Sequence, residues 1–358
     1  MDIPSYCGLL SLRYGRQSRI ITMELFMKIA FFELEGWEPP LLEKRLPGLQ
    51  LEYHTHAVGT SDERALVDCD ILSTFIFSQV NAGIFRLAPA LKLVTTRSTG
   101  FDHIDRVTAA ATGVQVANVP EYGSNTVAEH SFALLLALSR RVIAAHALTR
   151  AGRFDTKGLR GFDLRGKKLG VLGTGNIGLH MIRMATSFGM RVVAYDPFPR
   201  KTLGEVLNFE YVPFETLLAD SDVISLHCPA TADSHHLVRT ETIQKMKRGV
   251  VLINTSRGTL INSHDLLEAL ESGHVASAGL DVLEGEGLIK DDVQLARDAS
   301  REQVLAASDR QRLLEHENVI VTPHNAFNST EAVNRILDVT VENIQTFIAA
   351  GRPANPVK

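Results

Sequence analysis

Cysteine is scarce: Cys7, Cys69 and Cys228 are the only three in 358 residues. They form no CxxC pair and no disulfide framework, which suits the reducing cytoplasm. A surplus of one charge is also lacking. The 37 basic and 41 acidic residues leave a net charge of −4, which gives no electrostatic basis for binding nucleic acid or an anionic membrane. Long apolar runs are absent too. The most apolar stretch, "SFALLLAL" (131–138), is far below the ~20 residues that a membrane span needs, and it reads as a buried or interface helix. Residues 1–26 hold three arginines and no apolar segment fit for a signal peptide. They read as an extension, expected to be disordered. No internal repeat or low-complexity segment appears. What remains is 45% hydrophobic and 22% charged, ordinary for a globular enzyme and long enough for two domains.

From Lys28 onward, short apolar runs alternate with helical stretches. "KIAFFE" (28–33), "LEYHTHA" (51–57), "ILSTFI" (71–76) and "LKLVTTR" (91–97) have strand length and strand composition. Such alternation implies parallel strands joined by crossover helices. After Asn118 a helix capped by Ser124 or Asn125 is expected to run to about residue 150. A second series follows: "KKLGVLG" (167–173), "RVVAYD" (191–196), "FEYV" (209–212), "DVISLH" (222–227), "VVLINT" (250–255), "ASAGLD" (276–281) and "NVIVTPH" (318–324). Seven strands with intervening helices make a doubly wound sheet. The last helix, 329–351, has apolar positions at three- and four-residue steps and is expected to dock on the first lobe. Between Leu288 and Glu317 lies a charged, helical insertion. A solvated insertion and a role near the cleft both stay open.

"GVLGTGNIG" sets Gly173, Gly175 and Gly178 as GxGxxG straight after a strand, with Asn176 and Ile177 opening a helix. Asp196 ends the next strand, 18 residues past the third glycine, near the ~20 expected of a dinucleotide site. The glycines allow a tight turn and close approach of a pyrophosphate, and the helix N-terminus offers it free N–H groups. Asp196 would hold ribose hydroxyls and repel a 2′-phosphate, so NAD is favoured over NADP. Arg200 and Lys201 follow closely and leave some NADP use open.

Ligands of doubly wound sheets bind outside the carboxyl ends of the strands. Arg257, Glu286 and His324 all fall at or just beyond such ends. Reduction of a 2-oxo acid needs a fixed cation for the substrate carboxylate and carbonyl, which arginine supplies with planar donors. It needs a proton donor, for which histidine titrates in the right range. A carboxylate beside a histidine favours the imidazolium. Arg257, His324 and Glu286 fill these roles.

Several segments carry a resemblance: "RSTGFDHID" (97–105), "NVPEYGSNTVAEH" (118–130), "GVLGTGNIG" (170–178), "DVISLHCP" (222–229), "LINTSRG" (252–258), "AGLDVLEGE" (278–286) and "VTPHNAF" (321–327). Over nearly everything from Lys28 onward the chain resembles the D-isomer-specific 2-hydroxyacid dehydrogenases, and within them the D-lactate dehydrogenases. The resemblance implies two doubly wound α/β lobes, with a Rossmann NAD-binding domain (122–325) inserted in a smaller flavodoxin-like substrate domain (27–121 and 326–358). It implies a homodimer built around the helix near 126–148, and substrate bound between the lobes. The family's arginine, glutamate and histidine match Arg257, Glu286 and His324. Its nicotinamide-contacting aspartate matches Asp281, and His227, Cys228 and Thr255 would line the cofactor cleft. The backbone N–H groups of Ser98, Thr99 and Gly100 would bind the substrate carboxylate, with Tyr122 and Phe327 flanking a small side chain. Asn325 and Phe327 depart from the usual lactate-enzyme pattern, which bears on the preferred side chain and not on the reaction.

The expected function is reversible NAD-dependent reduction of a small 2-oxo acid, pyruvate foremost, to the D-2-hydroxy acid. The alternatives are a glyoxylate, hydroxypyruvate or branched 2-oxo acid reductase, and an NAD(H)-sensing protein like the family's co-repressors. Cys228 reads as a small buried hydrophobe, since no motif places a base for it. His54 and His56 share a strand face, but the spacing indicates no third ligand, and the reaction calls for no metal.

Overall fold

The structure is a computed structural model and describes residues 27–286 and 301–357. The expected 1–26 extension and the first part of the 288–317 insertion lie outside these residues. The chain divides into two compact units, one of residues up to Tyr122 together with Thr330 onward, the other Gly123–Ser329.

The first unit is a five-stranded parallel sheet in the order β2-β1-β3-β4-β5. Its strands are β1 (Lys28–Phe31), β2 (Gln50–Tyr53), β3 (Ile71–Thr74), β4 (Leu93–Thr96) and β5 (Gln115–Ala117). The first four match the expected strands, each shorter at one or both ends. β5 is additional to them: three residues are too short for a periodic signal. Alternation along β1 sends Ile29 and Phe31 to one face and Ala30 and Phe32 to the other, and all four are fully buried. Such double burial is the mark of a parallel sheet covered on both sides. One cover is the helix Thr330–Ala350, which sets Leu337, Val341, Ile344 and Phe347 against Ile29 and Phe31. Each such side chain contributes roughly 1.5–3 kcal/mol on burial, enough to fix the docking expected from its periodicity.

The second unit holds seven parallel strands in the order β12-β11-β10-β9-β6-β7-β8. They are β6 (Lys168–Leu172), β7 (Arg191–Tyr195), β8 (Glu210–Tyr211), β9 (Val223–Leu226), β10 (Val250–Asn254), β11 (Val275–Leu280) and β12 (Val319–Val321). The order reverses between β6 and β9, the switch point where such sheets bind ligands.

Two local expectations are corrected. The helix expected to run unbroken to residue 150 is two helices, Ser124–Ser139 and Val142–Arg150, bent by 62°. The Ser139 carbonyl accepts the N–H of Phe162 at 2.8 Å, a bond that a continuing helix would give to its own next turn. Arg141 then takes φ 51°. Nor does Ser124 or Asn125 cap the first helix: Gly123 is the N-cap and no side chain accepts there. The described part of the insertion is the helix Arg301–Glu315. It is not merely solvated, because Leu313 is fully buried and Asp309 meets His264 at 3.0 Å on the helix Ser263–Glu271.

Candidate active site

β10, β11 and β12 are neighbours, so the loops leaving their carboxyl ends lie side by side. Those loops carry Arg257, Glu286 and His324. His324 Nδ1 stands 2.7 Å from Glu286 Oε1, and the other Glu286 oxygen accepts the Leu283 N–H at 3.0 Å. Fixed at both oxygens, the carboxylate fixes the ring. Arg257 is half-buried. Its guanidinium donates to the Ser256 carbonyl at 2.8 Å, and its own carbonyl accepts Asn254 Nδ2 at 2.9 Å. A Cβ at Gly258 would strike the backbone of Leu283 and Glu284. The arginine turn is thus pressed against the segment that leads to Glu286.

The glycine loop joins β6 to the helix Asn176–Ser187. Gly173 has φ 94°, and a Cβ there would lie 2.7 Å from the His227 carbonyl. A Cβ at Gly178 would strike the Gly173 carbonyl. The fold itself requires these two. Gly175 differs: it caps the helix at φ −65°, ψ −176°, and a Cβ there would meet nothing within 4 Å. Nothing in the protein's own packing needs that glycine, but a pyrophosphate brought against the helix N-terminus does. The loop therefore fits a dinucleotide. Gly175→Ala should leave the thermal midpoint nearly unchanged, since the lost Gly cap is worth about 1 kcal/mol or less. It should weaken NADH binding by about tenfold, or 1.4 kcal/mol. Unchanged NADH affinity by calorimetric titration would remove Gly175 from the cradle.

The chain matches known proteins in the same places. Residues 132–326 match the model of the D-isomer specific 2-hydroxyacid dehydrogenase, NAD binding domain. The chain belongs to this family. It is 34% identical to a D-lactate dehydrogenase of Escherichia coli over 322 residues, 89% of this chain and 96% of that one. A glyoxylate reductase of Korarchaeum cryptofilum is 36% identical over 294 residues, 81% of this chain and 83% of that one. A D-lactate dehydrogenase of Aquifex aeolicus, solved with NAD and lactic acid, superposes with a TM-score of 0.82 at 32% identity, covering 91% of this chain and 98% of that one. The protein is thus an NAD-dependent D-2-hydroxyacid dehydrogenase, close to the D-lactate dehydrogenases, and NAD is its cofactor. Those sequence expectations, with the two-lobed α/β fold, hold. Among the described residues no single helix is long and apolar enough to cross a membrane.

Other dehydrogenase residues read from sequence have more local duties. Asp196 follows β7, and its Oδ2 accepts the Thr174 N–H at 2.8 Å and the Thr174 hydroxyl at 2.9 Å. Its Oδ1 accepts the Phe198 N–H at 2.9 Å, so it braces the glycine loop. Burial works to raise this carboxyl, but those donors and Arg200 outweigh it and hold it below the usual range. His227 Nε2 lies 2.8 Å from Ser225 Oγ, and burial pushes the imidazole down to about 4. It is neutral at physiological pH. Burial raises the Cys228 thiol to about 11, against a nucleophilic role. The buried Thr255 hydroxyl is 2.7 Å from Ser131 Oγ. The Asp281 side chain, matched to the nicotinamide by resemblance, is fully buried and turned into the turn that carries His324.

Ser98, Thr99, Gly100 and Tyr122 belong to the first unit, and Phe327 to the second. The Ser98 hydroxyl donates to the Gly100 carbonyl at 2.6 Å, Thr99 to the Val119 carbonyl at 2.9 Å, and Asn118 Nδ2 to the Thr99 carbonyl at 2.8 Å. The loop is stiffly held. The Tyr122 carbonyl accepts from the Arg335 guanidinium. Sequence reasoning misses Arg97, which is buried beneath this loop, along with His130 and Thr322, which contact Asp281. Arg97 ends the strand "LKLVTTR" and opens the segment "RSTGFDHID", and neither gives it a role. Asp62 is missed as well. It brings a carboxylate within 4.8 Å of the ligand atoms of His54 and His56, where spacing indicates no third group, and it pairs with His56 at 2.9 Å.

Proposed function

We propose that this dehydrogenase reduces pyruvate, reversibly, to D-lactate. The contact between His324 Nδ1 and Glu286 Oε1 carries the mechanism. Because Glu286 takes the Nδ1 side, the proton to be passed sits on Nε2. Arg257 holds the substrate carboxylate and polarises the 2-oxo group as a permanent cation. When bound, NADH would supply the hydride that the carbonyl carbon takes up. His324 gives its Nε2 proton to the carbonyl oxygen and becomes neutral, while Glu286 keeps the ring oriented in both protonation states. In the oxidative direction the neutral ring removes the hydroxyl proton. Gly173, Gly175, Asn176, Ile177, Gly178 and Asp196 would hold the dinucleotide, with His227, Cys228 and Thr255 along it.

Similarity to D-lactate dehydrogenases supports a small substrate side chain. A second reading, glyoxylate or hydroxypyruvate reduction, is favoured by relatives of similar identity that carry those names. Loss of NADH absorbance against pyruvate, 2-oxobutyrate, phenylpyruvate, 2-oxoisocaproate, glyoxylate and hydroxypyruvate decides between them. The highest kcat/KM is expected with pyruvate, and a higher value with glyoxylate or hydroxypyruvate would overturn the lactate assignment. We also infer a cytoplasmic homodimer. The helix Val142–Arg150 buries none of its residues, and Val142 and Ile143 are each 53% exposed, an apolar face suited to a second copy. Light scattering at the mass of a monomer would refute the dimer.

A further inference from the structure

Two imidazoles stand together just past the end of β2. The His54 N–H donates to the Phe31 carbonyl at 2.8 Å, and the carbonyls of His54 and His56 accept the N–H groups of Leu34 and Glu33, each at 3.0 Å. Both histidines are thus tied by their backbone to the end of β1, and their rings meet edge to face with centroids 5.3 Å apart. The His54 ring lies on the buried Phe32 ring, 4.3 Å between centroids and 11° between planes. Glu52 Oε1 stands 3.1 Å from His54 Nε2, and its other oxygen meets Lys28 at 2.9 Å. A carboxylate held in this way steadies the ring.

The turn Thr60–Asp62 brings a third group. Asp62 Oδ2 accepts the Gly59 N–H at 2.8 Å, and Oδ1 faces His56 Nε2 at 2.9 Å. One ligand atom from each of His54, His56 and Asp62 lies within 4.8 Å of the other two. A zinc ion holds imidazole nitrogen at about 2.0–2.1 Å and carboxylate oxygen at about 2.0–2.2 Å, so two donors sharing one ion stand roughly 3 Å apart. The spacing of His56 and Asp62 already has that value. The His56 side chain is 55% exposed, so its ring can turn toward His54 and an ion can enter from solvent.

The donor set selects the ion. Two imidazoles and one carboxylate suit Zn²⁺ and its transition-metal neighbours, whereas Mg²⁺ and Ca²⁺ take oxygen ligands. Three protein donors leave a tetrahedral position for water. His235, His236 and Glu284 form a second group of the same residue types. There His236 Nε2 faces Glu284 at 2.7 Å and Nδ1 faces Asn262 Nδ2 at 3.4 Å. Protein groups stand at both nitrogens of that ring, so the second group competes poorly for an ion.

We propose that His54, His56 and Asp62 form a binding site for one divalent transition-metal ion, separate from the residues of the reaction. This goes beyond the dehydrogenase reading and does not depend on which 2-oxo acid is reduced. The ion clips residues 54–62 to the end of β1. The same segment reaches the end of β3, because the Val58 N–H donates to Ser78 Oγ at 3.0 Å. A ligand that binds the folded state alone stabilises it, so the ion suppresses local opening at this edge of the first unit.

The test uses the full-length, tag-free enzyme, stripped with a chelator, desalted and titrated calorimetrically with Zn²⁺ in a non-chelating buffer. The variants are His56→Ala, Asp62→Asn, His54→Gln and, as a control at the second group, His235→Gln. Wild type should take up one Zn²⁺ per chain with a micromolar or tighter dissociation constant, and millimolar Mg²⁺ should not displace it. His56→Ala and Asp62→Asn should each weaken uptake by about a hundredfold, the upper end of what loss of even an outer partner costs. His235→Gln should bind as wild type does. Zn²⁺ should also slow hydrogen exchange at the amides of Glu33, Leu34 and residues 54–62 in wild type, and not in His56→Ala. If Asp62→Asn or His54→Gln does not fold, His56→Ala decides, because its side chain is exposed. No uptake at micromolar Zn²⁺, or wild-type uptake by His56→Ala, would overturn the proposal. Uptake lost in His235→Gln would put the ion at the second group and overturn it as well.

Discussion

His324→Ala should lose about 10²- to 10⁴-fold in kcat, the usual worth of a positioned general acid, while NADH binds as before. The ring is the group that the Glu286 carboxylate aims, through the 2.7 Å contact at Nδ1. Alanine at 324 removes the acid and leaves Glu286 bonded to the Leu283 N–H, so the β11 loop keeps its support. The glycine loop lies on the far side of β10 and β9 from β12 in the strand order, so the cofactor cradle is untouched. Stopped-flow reduction and calorimetric NADH titration separate the two effects. Wild-type turnover would exclude His324 as the donor, and lost NADH binding would mean that the variant damaged the fold. Glu286→Gln should give a smaller kcat loss than His324→Ala, because the amide oxygen still reaches Nδ1 and keeps the ring oriented.

Much of this site is legible in the sequence alone. GxGxxG is local: strand, tight turn and helix start fall within one short segment, and the fold requires Gly173 and Gly178 for reasons that hold in any sequence around them. Arg257, Glu286 and His324 are legible because charged residues beyond apolar strands have few structural uses. What the chain hides is partnership across distance. Asp281 resembles a cofactor ligand by motif, yet its donors come from Thr322, Asn325, Ala326 and His130, far from it in the chain. The bend after Ser139 depends on Phe162 arriving to take a carbonyl, which no periodicity reports. β5 is too short to show a period, and it forms because β4 offers it a ladder. Such features depend on tertiary contacts that override local preference.

Arg97→Met should destabilise the unit that contains it by about 3–5 kcal/mol, the cost of removing one partner from a buried ion pair. Arg97 is 2% exposed. Its guanidinium donates to the carbonyls of Phe32 at 2.7 Å and Glu33 at 2.8 Å and to Ser73 Oγ at 3.2 Å. Glu38, itself 6% exposed, lies 3.8 Å away. Methionine fills similar space but leaves the Glu38 carboxylate and two carbonyls buried without that donor. Glu33 is spared, since its carboxylate already accepts the N–H groups of Phe75, Phe77 and Ser78. Lysine should not rescue, because one ammonium cannot reproduce the planar fork across three acceptors. Hydrogen exchange of the amides of β1, β3 and β4 reads this unit separately from its neighbour, where a single global midpoint would mix them. Exchange at the wild-type rate in these strands would sink the prediction. Arg97 also stands one residue before the 98–100 loop, so the same variant should raise KM for the 2-oxo acid and leave NADH affinity alone. An unchanged KM in a destabilised variant would confine Arg97 to the core and detach it from substrate binding.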